Sequence, residues 1–300
     1  VQEIGRQGAL RGDALFHATK AAELAKADLV TLMVREFPEL QGTMGGHYAR
    51  LEGLRAEVAD AIEDHYKPIG ASGEMPRGDL GALLGLADRL HALVGIVGVG
   101  EKATGAADPF GLRRAAIGIL RLLLDRGYHL SLAAAVETAL DGLQGVKLAA
   151  DRAVVAGQVL DFVAKRLEGL WGEEFPPDLV AAVLSAGFDD VVDTRRRLEA
   201  LGAAKARPEF APLAATFKRV ANIQEKAGGA GSARVDPGLL RDEAERHLMS
   251  ELARVEAEVA RLRSSRDYAA ILAAVAGLEP AVDRFFDEVL VMAEEPALRD

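Results

Sequence analysis

Apolar residues recur at three- and four-residue spacing along almost the whole chain, and nowhere do they alternate cleanly over the length of a strand. Leu80, Leu83, Leu84, Ala87, Leu90, Leu93, Val94 and Val97 form one stripe. Val155, Val159, Phe162, Val163, Leu167 and Leu170 form a second; Leu248, Leu252, Val255, Val259 and Leu262 form a third. Val282, Phe285, Phe286, Val289 and Leu290 form a fourth. A period of about 3.6 puts each set on one side of a helix, and that side has to be buried against a neighbour. Half of the residues are hydrophobic but only 5% are aromatic, and abundant Ala and Leu favour helix over sheet. The pattern predicts an all-α fold.

A chain of 300 residues can bury a substantial core, and its length suggests two domains. Pro and Gly at turn density mark 66–78 as a loop, and 227–238 is the most glycine-rich connection, leading into a helix near Leu239. Arg126-Gly127 reads as a helix end, so the boundary is expected within 125–150, giving domains 1–140 and 141–300. Val1 in place of an initiator Met suggests a piece of a longer chain. There is no cysteine, which excludes disulfides and thiolate chemistry. No apolar run approaches the roughly 20 residues that span a bilayer, and the first residues lack a signal-peptide pattern. A cytoplasmic protein without a membrane partner is expected.

The net charge of −10 disfavours a protein that coats nucleic acid, and no DNA partner is expected. Charge is unevenly spread, however. Between Arg195 and Lys226, eight basic residues (Arg195, Arg196, Arg197, Lys205, Arg207, Lys218, Arg219, Lys226) face only three acidic ones. Such an island is either a local RNA-binding surface or a set of solvated helix faces. Lys218 and Asn222 are four residues apart and share a helix side, with Arg219 adjacent. Lys and Arg hold phosphates, Asn reads a base edge, and Phe210 or Phe217 could stack or simply pack.

Signs of catalysis are missing. The six histidines show no metal-ligand spacing, and no phosphate loop or nucleophile elbow occurs. Gly95, Gly98, Gly100 and Gly105 follow helical sequence, and they read as close packing and a turn. In 107–121 (ADPFGLRRAAIGILR), Asp108 is placed to cap a helix with Pro109 at its first position. No catalytic residue and no metal ligand is assigned.

The company of that last segment is specific. Residues 86–100 (LADRLHALVGIVGVG), Thr104-Gly105 and 107–121 together resemble the β subunit of the bacterial heterotetrameric glycyl-tRNA synthetase. So do 25–34 (AKADLVTLMV), 36–45 (EFPELQGTMG), Tyr48-Ala49 and 280–292 (PAVDRFFDEVLVM). Residues 216–223 (TFKRVANI) resemble its helical DALR-type anticodon-binding domain. The resemblance implies the C-terminal portion of such a subunit: an HD-like helical domain followed by a helical bundle that binds glycine tRNA. Its contacts would come from Arg195, Arg196, Arg197, Lys205, Arg207, Lys218, Arg219 and Asn222. It also implies a separate α subunit in an α2β2 assembly, which would carry ATP and Mg2+, with no cofactor in this portion. The HD domain is expected to be degenerate. Ala27-Asp28 stands where a His-Asp pair would hold metal, the later Asp is Asp88, and His91 and Gly46 depart from the family pattern. An active HD phosphohydrolase and a non-catalytic helical adaptor are the alternatives.

Overall fold

The computed structural model describes residues 1–7, 12–70, 72–101, 108–208, 210–226, 235 and 237–289. Thr104, Gly105, most of the glycine-rich 227–238 segment, residues 290–292 and the Lys226 side chain lie outside the described residues. Among those described, every regular element is a helix, and the one extended pairing is an isolated bridge between Ser131 and Asp190. Backbone contacts divide the chain into two units, Val1–Arg195 and Arg196–Asp300.

The first unit contains α1 (Gln2–Gln7), α2 (Asp13–Leu24), α3 (Leu32–Glu36), α4 (Thr43–Leu51), α5 (Ala56–Asp64), α6 (Asp79–Gly98), α7 (Leu112–Arg126), α8 (Leu132–Asp141), α9 (Arg152–Trp171), α10 (Pro177–Ser185) and the start of α11 (Val191–Lys205). Helix α6 is its centre, packed against α2, α5, α7, α8 and α9. It is apolar enough to cross a membrane by length and composition, a property not expected from the sequence. Here its apolar surface is satisfied by helices: Gly81–Leu86, Leu90, Leu93 and Val94 are all buried. The expected boundary after residue 140 falls at the end of α8, inside this unit. Helix α9 belongs with α6, α7 and α8, because Val155, Val159, Val163, Leu167 and Trp171 bury one continuous face there.

Local chemistry sets the ends of α7. Its first residue is Leu112 rather than Pro109. The Gly111 amide donates to Asp108 O at 3.0 Å to close a turn, and Gly111 then redirects the chain at φ 68°. Asp108 still caps, accepting the Arg113 amide at 3.2 Å. Gly127, at φ 64°, ends the helix as expected. Gly95 and Gly98 lie within α6, where Gly98 allows Leu148 to approach, and Gly100 turns the chain at φ 91°.

Three arginines hold the 66–78 loop. Arg89 of α6 donates to the carbonyls of His65 (3.0 Å), Tyr66 (2.7 Å) and Pro68 (3.1 Å). Arg121 of α7 donates to Gly70 (3.1 Å) and Gly73 (2.9 Å), and Arg126 donates to Pro76. Gly118 makes this possible, since a Cβ there would collide with the Arg89 side chain.

The second unit contains the rest of α11, then α12 (Phe210–Lys226), α13 (Glu243–Ser265), α14 (Tyr268–Ala276) and α15 (Glu279–Glu288). Helix α13 packs on α14 and α15, and α12 on α15. It starts at Glu243, not near Leu239, because Pro237–Leu239 is a 3-10 turn. The reciprocal Asp242–Glu245 capping box then satisfies the amides of those two residues.

Candidate nucleic-acid interface

Helix α12 is two-sided. Leu213, Phe217, Val220 and Ile223 line an apolar space with Leu248, Val282, Phe285 and Phe286. That leaves Lys218, Arg219 and Asn222 exposed, as the four-residue spacing of Lys218 and Asn222 requires. The Arg219 guanidinium stacks over the Phe286 ring, 4.1 Å from its centroid. Such stacking restrains a long side chain while its donors stay available to an anion.

Helix α11 carries Arg195, Arg196, Arg197 and Lys205, and Arg207 lies two residues past its end. Arg196, Lys205 and Arg207 are exposed, and Arg197 is half-buried. Arg195 differs from them. It pairs with Glu174 at 2.6 Å and lies over the Phe175 ring, so its charge is engaged within the first unit. Its hydrogen bond holds the Glu174 carboxyl below the usual carboxylate range.

Beside Arg207 the second unit opens a cleft of about 460 Å³ between α11 and α14. In the sequence its alanines read only as helix formers. A run of small residues shows nothing until two such helices face each other.

The residues that would form a metal centre are otherwise occupied. Asp28 is buried, and its Oδ2 accepts the Gly42 and Gly45 amides at 2.6 and 3.1 Å. Asp88 accepts from Lys26 at 3.1 Å, and the same ammonium lies 4.3 Å from the centroid of Tyr66. An ammonium already neutralises the second carboxylate, and no group of three metal-ligating side chains occurs among the described residues. This donor set does not fit a divalent metal. Arg50 and Gly46 are likewise structural. Arg50 pairs with Asp60 and, at 2.9 Å, with Glu63, while Gly46 lets α4 approach α5, since a Cβ there would lie 2.9 Å from Ala59 O.

Residues 2–185 match the family model described as glycyl-tRNA synthetase beta subunit, and residues 213–300 match the DALR anticodon binding domain. The chain is 70% identical over 296 residues to the glycine–tRNA ligase beta subunit of Anaeromyxobacter dehalogenans, covering 98% of this chain and 42% of the relative. It is 49% identical over 302 residues to that of Myxococcus xanthus, covering 99% and 43%. With the Geobacter sulfurreducens subunit the identity is 46% over 276 residues, covering 92% and 40%. The chain therefore spans about two-fifths of the length of these curated relatives. A match over more than half of the chain, joined to the helical architecture above, places it in the glycyl-tRNA synthetase beta subunit family.

Proposed function

We propose that this chain is the tRNA-binding portion of a glycine–tRNA ligase β subunit, which positions glycine tRNA for ATP-dependent glycylation on a separate α subunit in an α2β2 assembly. One observation carries this reading: Lys218, Arg219 and Asn222 are exposed together on α12, within the region that matches an anticodon-binding family. Phosphate contacts from Lys218 and Arg219 supply affinity, and Asn222 reads a base edge. Arg196, Arg197, Lys205 and Arg207 extend the cationic surface along α11 and just beyond it; Arg195 strengthens the first unit instead. Energy gained far from the acceptor end can be used to align that end, so this portion raises the rate without a catalytic group of its own. ATP and Mg2+ act on the α subunit in this reading, and the working place is the cytoplasm.

Titrating the chain with glycine tRNA across a salt series tests this directly. Affinity should fall with a log–log slope of about −0.7 per neutralised single-strand phosphate. Lys218→Glu with Arg219→Glu should weaken all tRNAs and flatten that slope. Asn222→Ala should mainly reduce the preference for glycine tRNA. Wild-type affinity and slope in the double charge reversal would leave the chain as a helical adaptor. Divalent-metal-dependent phosphohydrolase turnover would favour the HD enzyme, against which the engaged Asp28 and Asp88 already argue.

A further inference from the structure

Among the described residues, three arginines lie over a phenylalanine ring, and they differ in what remains for their donors to do. Arg166 sits over Phe162, one turn earlier on the same helix, and is half-buried. Arg195 sits over Phe175, and its guanidinium is engaged by Glu174 at 2.6 Å. Arg219 is the exposed member, and its ring comes from another helix: Phe286 of α15, with the guanidinium 4.1 Å from the centroid. No carboxylate among the described residues forms an ion pair with it.

A ring that is itself fixed can fix a cation. Phe286 meets Phe285 edge-on, with centroids 5.5 Å apart, and both line the apolar space shared by α12, α13 and α15. One turn away, the Thr216 hydroxyl donates to Asp283 at 3.3 Å. Thr216 precedes Arg219 by three residues and Asp283 precedes Phe286 by three, so both contacts join α12 and α15 in one register. A slip of either helix would break the two together. A ring takes the face of a guanidinium and leaves the N–H groups at its edge for an anion. A free arginine has to be ordered when it grips a phosphate, and that ordering costs affinity; one already held loses less. Phe210 and Phe217 are the aromatic candidates within the basic island, but the ring under Arg219 comes from outside it.

We propose that Phe286 is a positioning residue for tRNA binding: its ring holds the Arg219 guanidinium where it grips a phosphate of the RNA backbone. This rests on the reading that α12 binds tRNA. The test is a double-mutant cycle in the intact chain, with affinity for glycine tRNA read across a salt series. Phe286→Leu should weaken binding about two- to fivefold, the range of a cation over an exposed ring. It should also flatten the salt slope by up to about 0.7, one phosphate's share. In the Arg219→Ala background it should change neither. Fluorinated phenylalanines at 286 keep the ring's shape while weakening its negative face, so they separate electrostatics from packing. Affinity should fall as fluorine is added, and only while Arg219 is present. Losses that do not depend on Arg219 for Leu and fluorinated rings alike, or no loss with either, would reduce Phe286 to a packing side chain and overturn the proposal. Unchanged affinity and slope in Arg219→Ala itself would also overturn it and leave tRNA binding by the rest of the chain intact. If the unaltered chain binds no tRNA, the broader reading fails and this one with it.

Discussion

His65 shows how a side chain unremarkable in sequence becomes consequential by placement. It is fully buried, and its Nδ1 donates to Ile62 O at 2.6 Å, which leaves Nε2 as a buried lone pair without a hydrogen-bond partner. Burial pushes its pKa below the ordinary 6.5. Lys26 and Arg89 reinforce that shift, while the Ile62 hydrogen bond and Asp88 oppose it. A histidine with a depressed folded value takes up its proton more readily when unfolded. Its contribution to stability is therefore complete above pH 6.5 and declines as pH falls toward the folded value. Urea unfolding between pH 7.5 and 5 should show stability falling on the acid side, by at most about 1.4 kcal/mol per pH unit from this group. His65→Gln should remove that component; an unchanged pH profile would show that His65 does not titrate with unfolding. Asp28 and Asp88 stood out in the sequence through the family resemblance, but Lys26 and His65 did not. The partner of Lys26 lies 62 residues away, and no local pattern announces it.

At the scale of elements, the arginines of α6 and α7 matter more than their apolar stripes suggest. In sequence, Arg121 is merely off the apolar face of α7; in the structure, Arg89, Arg121 and Arg126 satisfy the carbonyls of an otherwise irregular loop. Arg89→Met should cost about 2–4 kcal/mol, because several partly buried carbonyls lose a charged donor. Arg89→Lys should recover only part of that, since an ammonium lacks the planar fork. Gly118→Val should cost about 1–3 kcal/mol by displacing the same guanidinium. Denaturation midpoints give the magnitudes, and amide exchange should accelerate within 66–78 in all three. Protection unchanged in Arg89→Met would show that the loop is held by other means.

For the whole molecule, the division after Arg195 predicts two separable transitions. The only tryptophan, Trp171, is fully buried in the first unit, so its emission reports that unit alone, whereas far-ultraviolet circular dichroism reports both. Leu262→Ala truncates a buried side chain of α13 and should destabilise the second unit by about 2–4 kcal/mol. The Trp171 transition should then stay in place while part of the dichroism shifts to lower denaturant. Coincident movement of both signals would mean that the units unfold as one.

The all-helical class, the buried stripes of α6 and α9, the 66–78 loop, the Gly127 stop and the exposure of Lys218 and Asn222 could all be read from the sequence. Each depends on spacing within a few helical turns, and helical geometry turns that spacing directly into a face. Tertiary structure alone decided the rest. It joined α9 to the first unit, engaged Arg195 with Glu174 while leaving Arg207 exposed, and set Lys26 against Asp88. Those outcomes depend on which distant helices meet, and the period of a single helix carries no information about its neighbour.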